Sequence, residues 1–338
     1  MACTDGRIGD GWANIIDRRF IQEGEGLRDI PSIDQPDFTL ASQVDFLPDT
    51  SIVLGIAHQG IIKAYPLDIL HWHEVVNDIV GETRIAITYS TLSGSGVAFE
   101  RVFQDAVTFE LGVTGLLYNS NLIVIDDISE TYWQQILGLG VKGIRIDQEL
   151  KEFPLIEMNW ATWRLLFPNS QVLNTKTGFN RPYQTYPYGD YRTNDTKLLF
   201  DLTVPLDSLD QPISFKEKGL GITIGANTKV YPMSAFPTTG LGIIEDEFSG
   251  ESVVVIGSQE HQLLAAYSST RVDGSEATFQ IADSNPLWIV DDQGIEFDVF
   301  GKSVKQDEEA ELQSLNTKIA YWFSWAVWQH PESVPLYQ

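Results

Sequence analysis

The sequence LGIAHQGIIKAYP, residues 54–66, decides the fold, and it aligns without a gap to LGITIGANTKVYP, residues 220–232. Each stretch is an apolar run, a short polar or glycine-containing turn and a second run that closes on Tyr-Pro, a pattern that predicts a β-hairpin. Further on, IVIDD at 123–127 matches WIVDD at 288–292, in the same order and at nearly the same offset. These matches predict an internal duplication.

Strand-like stretches follow the first hairpin in quick succession, at 84–89, 96–101, 106–112 and 121–125, with little room for crossover helices. Mainly antiparallel sheets are therefore expected. Each copy closes with a predicted helix whose tryptophans lie three apart on one face and should pack in the core; the helices are 156–167 with Trp160 and Trp163, and 318–329 with Trp322 and Trp325. The sequence thus predicts a strand-rich α+β fold of two tandem pseudo-repeats, each closed by a Trp-rich helix.

The domain organisation follows from the duplication. We predict an N-terminal arm at 1–45, a site-bearing first repeat at 46–174, a connector at 175–215 and a structural second repeat at 216–338. The connector is rich in Tyr, Pro and Gly, which favours turns over regular elements. Because tyrosines gain nothing from water, we expect it to pack on the protein as an ordered connector or a cleft wall.

The charge excludes one class of partner. Lys and Arg number 22 against 47 Asp and Glu, a formal net charge of −25, so a nucleic-acid partner is not expected. Such a charge fits a saline or extracytoplasmic setting. The sequence contains no phosphate loop, dinucleotide fingerprint, zinc-helix motif or EF-hand loop, and we expect no cofactor and no bound metal.

Cys3 is the one cysteine, so neither an intrachain disulfide nor a thiolate zinc site of the usual kind can form. The opening Met-Ala-Cys would suit a bacterial lipoprotein read from its acylated cysteine onward. A cytosolic protein whose third residue is Cys explains it equally well. We expect an extracytoplasmic protein, periplasmic or secreted, that meets a membrane only through a lipid on Cys3.

A helix that carries several polar side chains is predicted after Tyr65. Pro66 suits the first helical position, and the pattern extends to about Asp78. On this helix His73 and Asn77 should face inward. A solvated charged face is predicted for His71, Glu74 and Asp78.

The second copy has Pro237 at the corresponding place, which blocks a helix, and it carries no histidine or amide there. Polar residues present in one copy alone are better candidates for chemistry, which selects His73 and Asn77. The alternative is a core-edge histidine that bonds a backbone carbonyl and Asn77.

Several segments resemble one family. They are KAYPL at 63–67, LHWHEVVND at 70–78, TY at 88–89 with GS at 94–95, GLLYNS at 115–120 and YWFSW at 321–325, and together they resemble the domain of unknown function 3179 family of bacteria and archaea, many of whose members look exported. The resemblance implies a fold unit rather than a reaction. Family members usually show Tyr-Cys-Pro-Leu where this chain has YSTL at 89–92, so Ser90 replaces the usual cysteine.

Three functional hypotheses remain open. The first is a binding cleft in the first repeat for a small molecule or peptide, lined by His73, Asn77, Ser90, Ser93, Tyr118 and Asn119, with Arg181 and Tyr183 as connector walls. The second is a serine-dependent acyl hydrolase with Ser90 as nucleophile, His73 as base, Asn77 as its orienting partner and backbone amides near Ser93 as oxyanion donors. The third is a non-catalytic, degenerate member that has lost a cysteine metal site.

Overall fold

The computed structural model describes residues 7–8, 11–24, 30–209, 212–271, 274–305, 310–328 and 336–337. The predictions for Cys3 and for part of the N-terminal arm lie outside these ranges. Within them, the chain forms many short strands and three short α-helices, as predicted for a strand-rich α+β protein.

The strands alternate with turns along the whole chain. In the N-terminal part and first repeat they are β1 Arg7–Ile8, β2 Trp12–Ala13, β3 Ile21–Glu23, β4 Phe38–Leu40, β5 Ile52–His58, β6 Ile61–Pro66, β7 Val75–Val80, β8 Thr83–Ser90, β9 Ser95–Glu100, β10 Leu111–Tyr118, β11 Asn121–Asp126, β12 Tyr132–Gln134, β13 Leu139–Lys142, β14 Glu152–Phe153, β15 Ile156–Asn159 and β16 Gln171–Leu173. In the later part they are β17 Lys218–Ile224, β18 Asn227–Pro232, β19 Gly242–Phe248, β20 Glu251–Ser258, β21 Leu263–Ser268, β22 Phe279–Ile281, β23 Ile289–Asp291, β24 Glu296–Phe297 and β25 Thr317–Tyr321.

The helices are short, each seven residues long. They are α1 Leu67–His73, α2 Trp160–Leu166 and α3 Trp322–Trp328. The predicted helices 156–167 and 318–329 begin too early, because their first residues are the strands β15 and β25. Their tryptophans are buried as predicted, with exposures of at most 4%.

Four sheets contain these strands. Sheet I has the order β1-β2-β13-β12-β11-β10-β3; sheet II has β18-β17-β25-β9-β8-β7, with β14 beside β9; sheet III has β19-β20-β21-β15-β5-β6-β16-β4; and sheet IV has β22-β23-β24. Neighbouring named strands pair antiparallel except β6 and β16. The mainly antiparallel prediction is confirmed, because short turns join most consecutive strands.

Sheets II and III each combine the two predicted repeats. In sheet II the hairpin β17–β18 and strand β25 continue into β9, β8 and β7. In sheet III the hairpin β5–β6 and strand β15 continue into β21, β20 and β19. The segments 46–174 and 216–338 therefore share their sheets.

The two hairpins quoted at the outset have the same register. Leu54 pairs with Tyr65 in one, and Leu220 with Tyr231 in the other. A tryptophan of the following helix lies over a hairpin glycine in each case: a Cβ on Gly55 would lie 2.0 Å from the Trp163 ring, and one on Gly221 would lie 2.5 Å from the Trp325 ring. Glycine is required at both positions because a tryptophan ring takes the space of its side chain.

A buried lysine, tyrosine and aspartate also recur. Asp78 accepts hydrogen bonds from Lys63 Nζ at 2.7 Å and from the Tyr65 hydroxyl at 2.6 Å. In the second repeat Asp246 accepts from Lys229 and Tyr231 in the same way. The prediction that Asp78 is solvated is wrong, since it is 6% exposed and closes this cluster.

The predicted helix to Asp78 is also too long. α1 ends at His73, and β7 begins at Val75 and pairs with β8 along its whole length. Val75, Val76 and Val80 are β-branched, which favours a strand over another helical turn.

The connector packs on the protein through its tyrosines. Tyr191 is fully buried, and its hydroxyl donates to the Leu92 carbonyl at 2.7 Å. Tyr183 is 9% exposed. Among the described residues, no helix has both the length and the apolar character needed to cross a bilayer.

Candidate functional site

The candidate site is built where α1 ends. Glu74 caps the helix in the left-handed conformation, with φ of 56°, and its N–H donates to the Leu70 carbonyl at 2.8 Å. Its own carbonyl accepts from the Tyr89 N–H at 2.8 Å, which ties it to the end of β8. A left-handed non-glycine residue costs free energy, so the surrounding contacts must hold it there.

The Glu74 side chain is buried, and one of its two oxygens has no hydrogen-bond partner among the described residues. The residue is 3% exposed, and among the described residues no group hydrogen-bonds to its Oε2. Burial raises the pKa of this carboxyl from the ordinary 4.5 to about 8. Glu74 is therefore mostly a neutral carboxylic acid at pH 7, able both to donate and to accept a hydrogen bond.

Three further side chains complete what we call the Glu74 site, defined as Glu74, His71, Tyr186 and Tyr188. The His71 ring packs edge-on against Tyr186 at 4.9 Å between centroids, and Tyr186 lies 5.8 Å from Tyr188. Burial, with a smaller contribution from the Glu74 charge, raises the pKa of the Tyr188 phenol. His71 of α1 thus contacts the connector tyrosine Tyr186, which packs against Tyr188.

The site carries little charge of its own at neutral pH. Burial, with smaller contributions from Arg192 and Lys218, lowers the pKa of His71 to about 3, so its ring is neutral. The ring hydrogen-bonds through Nδ1 to Thr91 Oγ1 at 3.2 Å. The exposed Arg192 holds its guanidinium 4.7 Å from the Tyr186 ring centroid and supplies the nearby positive charge.

A second unsatisfied group lies in the same site. The Tyr186 hydroxyl is buried and has no hydrogen-bond partner among the described residues. Unsatisfied buried polar groups are uncommon because each costs about 1–3 kcal/mol. Glu74 Oε2 and the Tyr186 hydroxyl thus each have the capacity for a further hydrogen bond.

His73, the first predicted site residue, has a structural role. Its Nδ1 donates to the Pro31 carbonyl at 2.8 Å, which leaves Nε2 to accept from the Tyr183 hydroxyl at 2.7 Å. Burial lowers the pKa of His73, so the neutral ring suits both bonds. Through the hydrogen bond to Tyr183, His73 fastens the connector to α1.

Asn77 does not orient His73. Its side chain donates to Asp34 Oδ1 at 2.7 Å and to the Leu111 carbonyl at 2.9 Å, and it accepts from the Leu111 N–H at 3.0 Å. These bonds join β7 to β10.

Ser90 and Ser93 belong to a buried polar network. Ser90 Oγ accepts from the Leu122 N–H at 3.1 Å. Ser93 Oγ bonds to Ser95 Oγ at 2.9 Å and accepts from Asn121 at 2.8 Å. Each of these hydroxyls has a partner, as a fully connected structural network requires.

The proposed Ser90–His73 dyad does not form. Both ring nitrogens of His73 are taken by the Pro31 carbonyl and Tyr183, so neither is left to act as base for Ser90. The predicted oxyanion turn is closed as well, because Ser93 is fully buried and the Tyr321 ring lies over Gly94. A nucleophile needs a base within hydrogen-bond reach, and this pair lacks one.

The remaining predicted residues, Tyr118 and Asn119, each bond to other parts of the chain. Tyr118 accepts from the Asp17 N–H at 3.1 Å, and its ring packs against Trp328 at 5.2 Å. Asn119 accepts from the Thr203 N–H at 2.7 Å. Neither is seen to contact the Glu74 site.

Sequence reasoning missed the two central residues, because His71 and Glu74 were assigned to a solvated helix face. His71 is 9% exposed and Glu74 3%. The overlooked signal is the β-branched run that begins at Val75, which ends the helix one residue earlier and turns Glu74 into its cap. Burial of both residues depends on connector tyrosines more than 100 residues away in the chain.

Comparison with known proteins gives one match. A family model described as "Protein of unknown function (DUF3179)" matches residues 28–333. No curated protein and no solved structure gives a significant match.

Proposed function

The chain belongs to the DUF3179 family, whose description names no activity, and we propose that it binds a small hydrogen-bond-accepting ligand, such as a small carboxylate, at the Glu74 site. One observation carries the proposal: a glutamate that is 3% exposed keeps Oε2 without a partner in the described structure. Perturbed carboxyls in buried clusters are enriched at functional sites.

The protonation state selects the ligand class. With a pKa of about 8, Glu74 offers an O–H donor at pH 7, and the Tyr186 hydroxyl offers another. Arg192 adds a positive charge at the rim. Two donors and a cation complement an acceptor or an anion.

The protonation of Glu74 at pH 7 disfavours a cationic ligand. Glu74 would first have to lose its proton, and at pH 7 only about one molecule in eleven has done so, which weakens binding roughly tenfold. The Arg192 charge would repel such a ligand further. A carboxylate ligand binds the protonated form of Glu74, which already predominates at pH 7.

The test is a titration with three probes of similar size, acetate, acetamide and ethylammonium. Binding is monitored through the NMR signals of the Tyr186 and Tyr188 rings. We expect acetate to bind and to weaken about tenfold between pH 7 and pH 9, because the donor on Glu74 is lost. The Glu74→Gln variant keeps an N–H donor at every pH, so its acetate affinity should not change over that range.

Two results would contradict the proposal. One is a preference for ethylammonium that grows with pH, which would identify a cation site. The other is an acetate affinity that falls equally in the parent and in Glu74→Gln, since the pH dependence would then arise elsewhere.

We further propose that segments 46–174 and 216–338 are pseudo-repeats of one unit. The equal hairpin registers, the Gly-Trp contacts and the recurring Lys-Tyr-Asp cluster support this. At the position of α1 the second segment has a 3-10 turn, Met233–Ala235, followed by Pro237. A comparison of the two segments in related chains tests this, because Gly55 and Trp163 should vary together, and so should Gly221 and Trp325.

We also propose that the protein works outside the cytoplasm. The net charge of −25 supports this, since it suits a saline medium. Cell fractionation of the natural host tests it: the protein should be found in the extracytoplasmic fraction, and a cytoplasmic location would refute the idea.

A further inference from the structure

A separate cleft lies between sheets II and III. It has a volume of about 490 Å³ and is lined by β9 and β25 on one sheet and by β15 and β21 on the other. That volume is in the range of small-molecule sites. Its apolar side chains include Leu54, Leu155, Leu220, Leu264 and Ile319.

One buried charged residue lines this cleft. Glu157, on β15, is 4% exposed, and its Oε1 forms a close ion pair with Lys218 Nζ. Its Oε2 is buried and has no partner among the described residues. The pair as a whole is neutral, so the cleft presents an acceptor oxygen without a net charge.

Strand pairing does not require this ion pair. Glu157 lies opposite Leu54 in the β15–β5 ladder, and Ile319 lies opposite Leu220 in the β25–β17 ladder. When the two ladders are superposed in this way, the Lys218–Tyr321 pair corresponds to the Ile52–Asn159 pair. Isoleucine therefore occupies the position that corresponds to Glu157, as Ile319, and the position that corresponds to Lys218, as Ile52.

A buried ion pair is costly to keep. Removing two charges from water requires several kcal/mol per ion, and well-packed apolar residues are often as stable or more so. A cleft that keeps the pair and leaves one oxygen unbonded has a feature that packing does not explain.

Both lysines that line the cleft are also paired. Lys318 Nζ lies 2.8 Å from Glu152 Oε1, and Lys151 Nζ lies 2.6 Å from Glu100 Oε1. An anionic ligand would have to break such a pair or remain uncompensated. An uncharged molecule meets neither cost.

We propose that this cleft binds an uncharged amphipathic molecule, an aliphatic chain ending in a hydroxyl group. The hydroxyl donates to Glu157 Oε2, and the chain lies against Leu54, Leu220 and Leu264. The cleft shares no residue with the Glu74 site, so the two proposals succeed or fail independently.

The test uses 1-hexanol as the probe, with hexanoate and hexylammonium as charged controls. Leucine methyl groups are labelled with ¹³C, and their NMR shifts are followed during titration of the full chain. We expect 1-hexanol to shift the Leu54, Leu220 and Leu264 methyl signals, with each charged control binding at least tenfold more weakly. Absence of shifts with 1-hexanol, or tighter binding of hexylammonium, would overturn the proposal.

The matched variant is the double substitution Glu157→Ile with Lys218→Ile, which copies the residues at the corresponding ladder positions. It should fold and lose at least tenfold in 1-hexanol affinity, because the acceptor is gone. Unchanged affinity in the folded double variant would overturn the proposal.

A second variant covers the case in which the double variant does not fold. In Gly96→Ala the new Cβ would lie 2.9 Å from a Leu54 methyl carbon, which narrows the cleft. Weaker 1-hexanol binding in this variant supports the site, and equal binding argues against it.

Discussion

Replacing Glu74 with glutamine should stabilise the protein, and increasingly so as the pH rises. The variant keeps the shape of the protonated side chain but has no proton to lose. In the parent, the folded state holds the Glu74 proton up to a pKa of about 8, whereas the unfolded chain releases it near 4.5. The parent therefore loses stability as the pH rises from 4.5 to 8, and the loss is constant above pH 8.

The size of the effect follows from the pKa difference. Each unit corresponds to about 1.4 kcal/mol, so the parent should have lost roughly 3 kcal/mol of unfolding free energy at pH 7 and roughly 4 kcal/mol at pH 8. Glu74→Gln escapes this loss. Its advantage over the parent should be near zero at pH 4.5 and grow to those values.

Urea unfolding followed by tryptophan fluorescence, at fixed ionic strength from pH 5 to pH 9, measures the difference. Glu82→Gln is the control, because Glu82 is exposed and the same change in net charge is made there. An advantage of Glu74→Gln that stays within about 0.5 kcal/mol of the control at every pH would refute the reasoning, since the carboxyl would then be solvated or paired.

Three other substitutions give sharp outcomes. Ser90→Cys should create no copper or zinc site by calorimetry, because both nitrogens of His73 are already bonded; metal binding would instead favour the degenerate metal-site hypothesis. Tyr183→Phe should cost about 1–3 kcal/mol in urea unfolding, because His73 Nε2 loses its donor, and equal stability would show that water replaces the hydroxyl. Gly55→Ala should destabilise by several kcal/mol, measured by thermal unfolding, because its Cβ would overlap the Trp163 ring; Gly60→Ala, at a turn with open space but a positive φ, is the milder comparison.

The sequence predicted the strand-rich architecture because alternating apolar residues and turn formers act over a few residues. Both hairpins, the antiparallel pairing and the burial of the four helix tryptophans follow from such local patterns. The family resemblance was predicted from contiguous motifs and is confirmed by the match over residues 28–333.

The end of α1 was predicted wrongly because two local patterns compete there. The residues after His73 continue an apolar spacing of helical period, yet they are β-branched and can pair with β8. Pairing with β8 favours the strand over the helix. The spacing of apolar residues does not reveal that such a partner strand is present.

The sequence alone determined which residues are apolar, where the chain turns and how much charge it carries, since each of these is a property of neighbouring residues. Only the tertiary structure decided which polar groups are removed from water. His73 and Ser90 obtain partners from Pro31, Tyr183 and Leu122, while Glu74 Oε2 is buried with no partner among the described residues. The free energy of a buried charge depends on what surrounds it in space, and those surroundings come from distant parts of the chain.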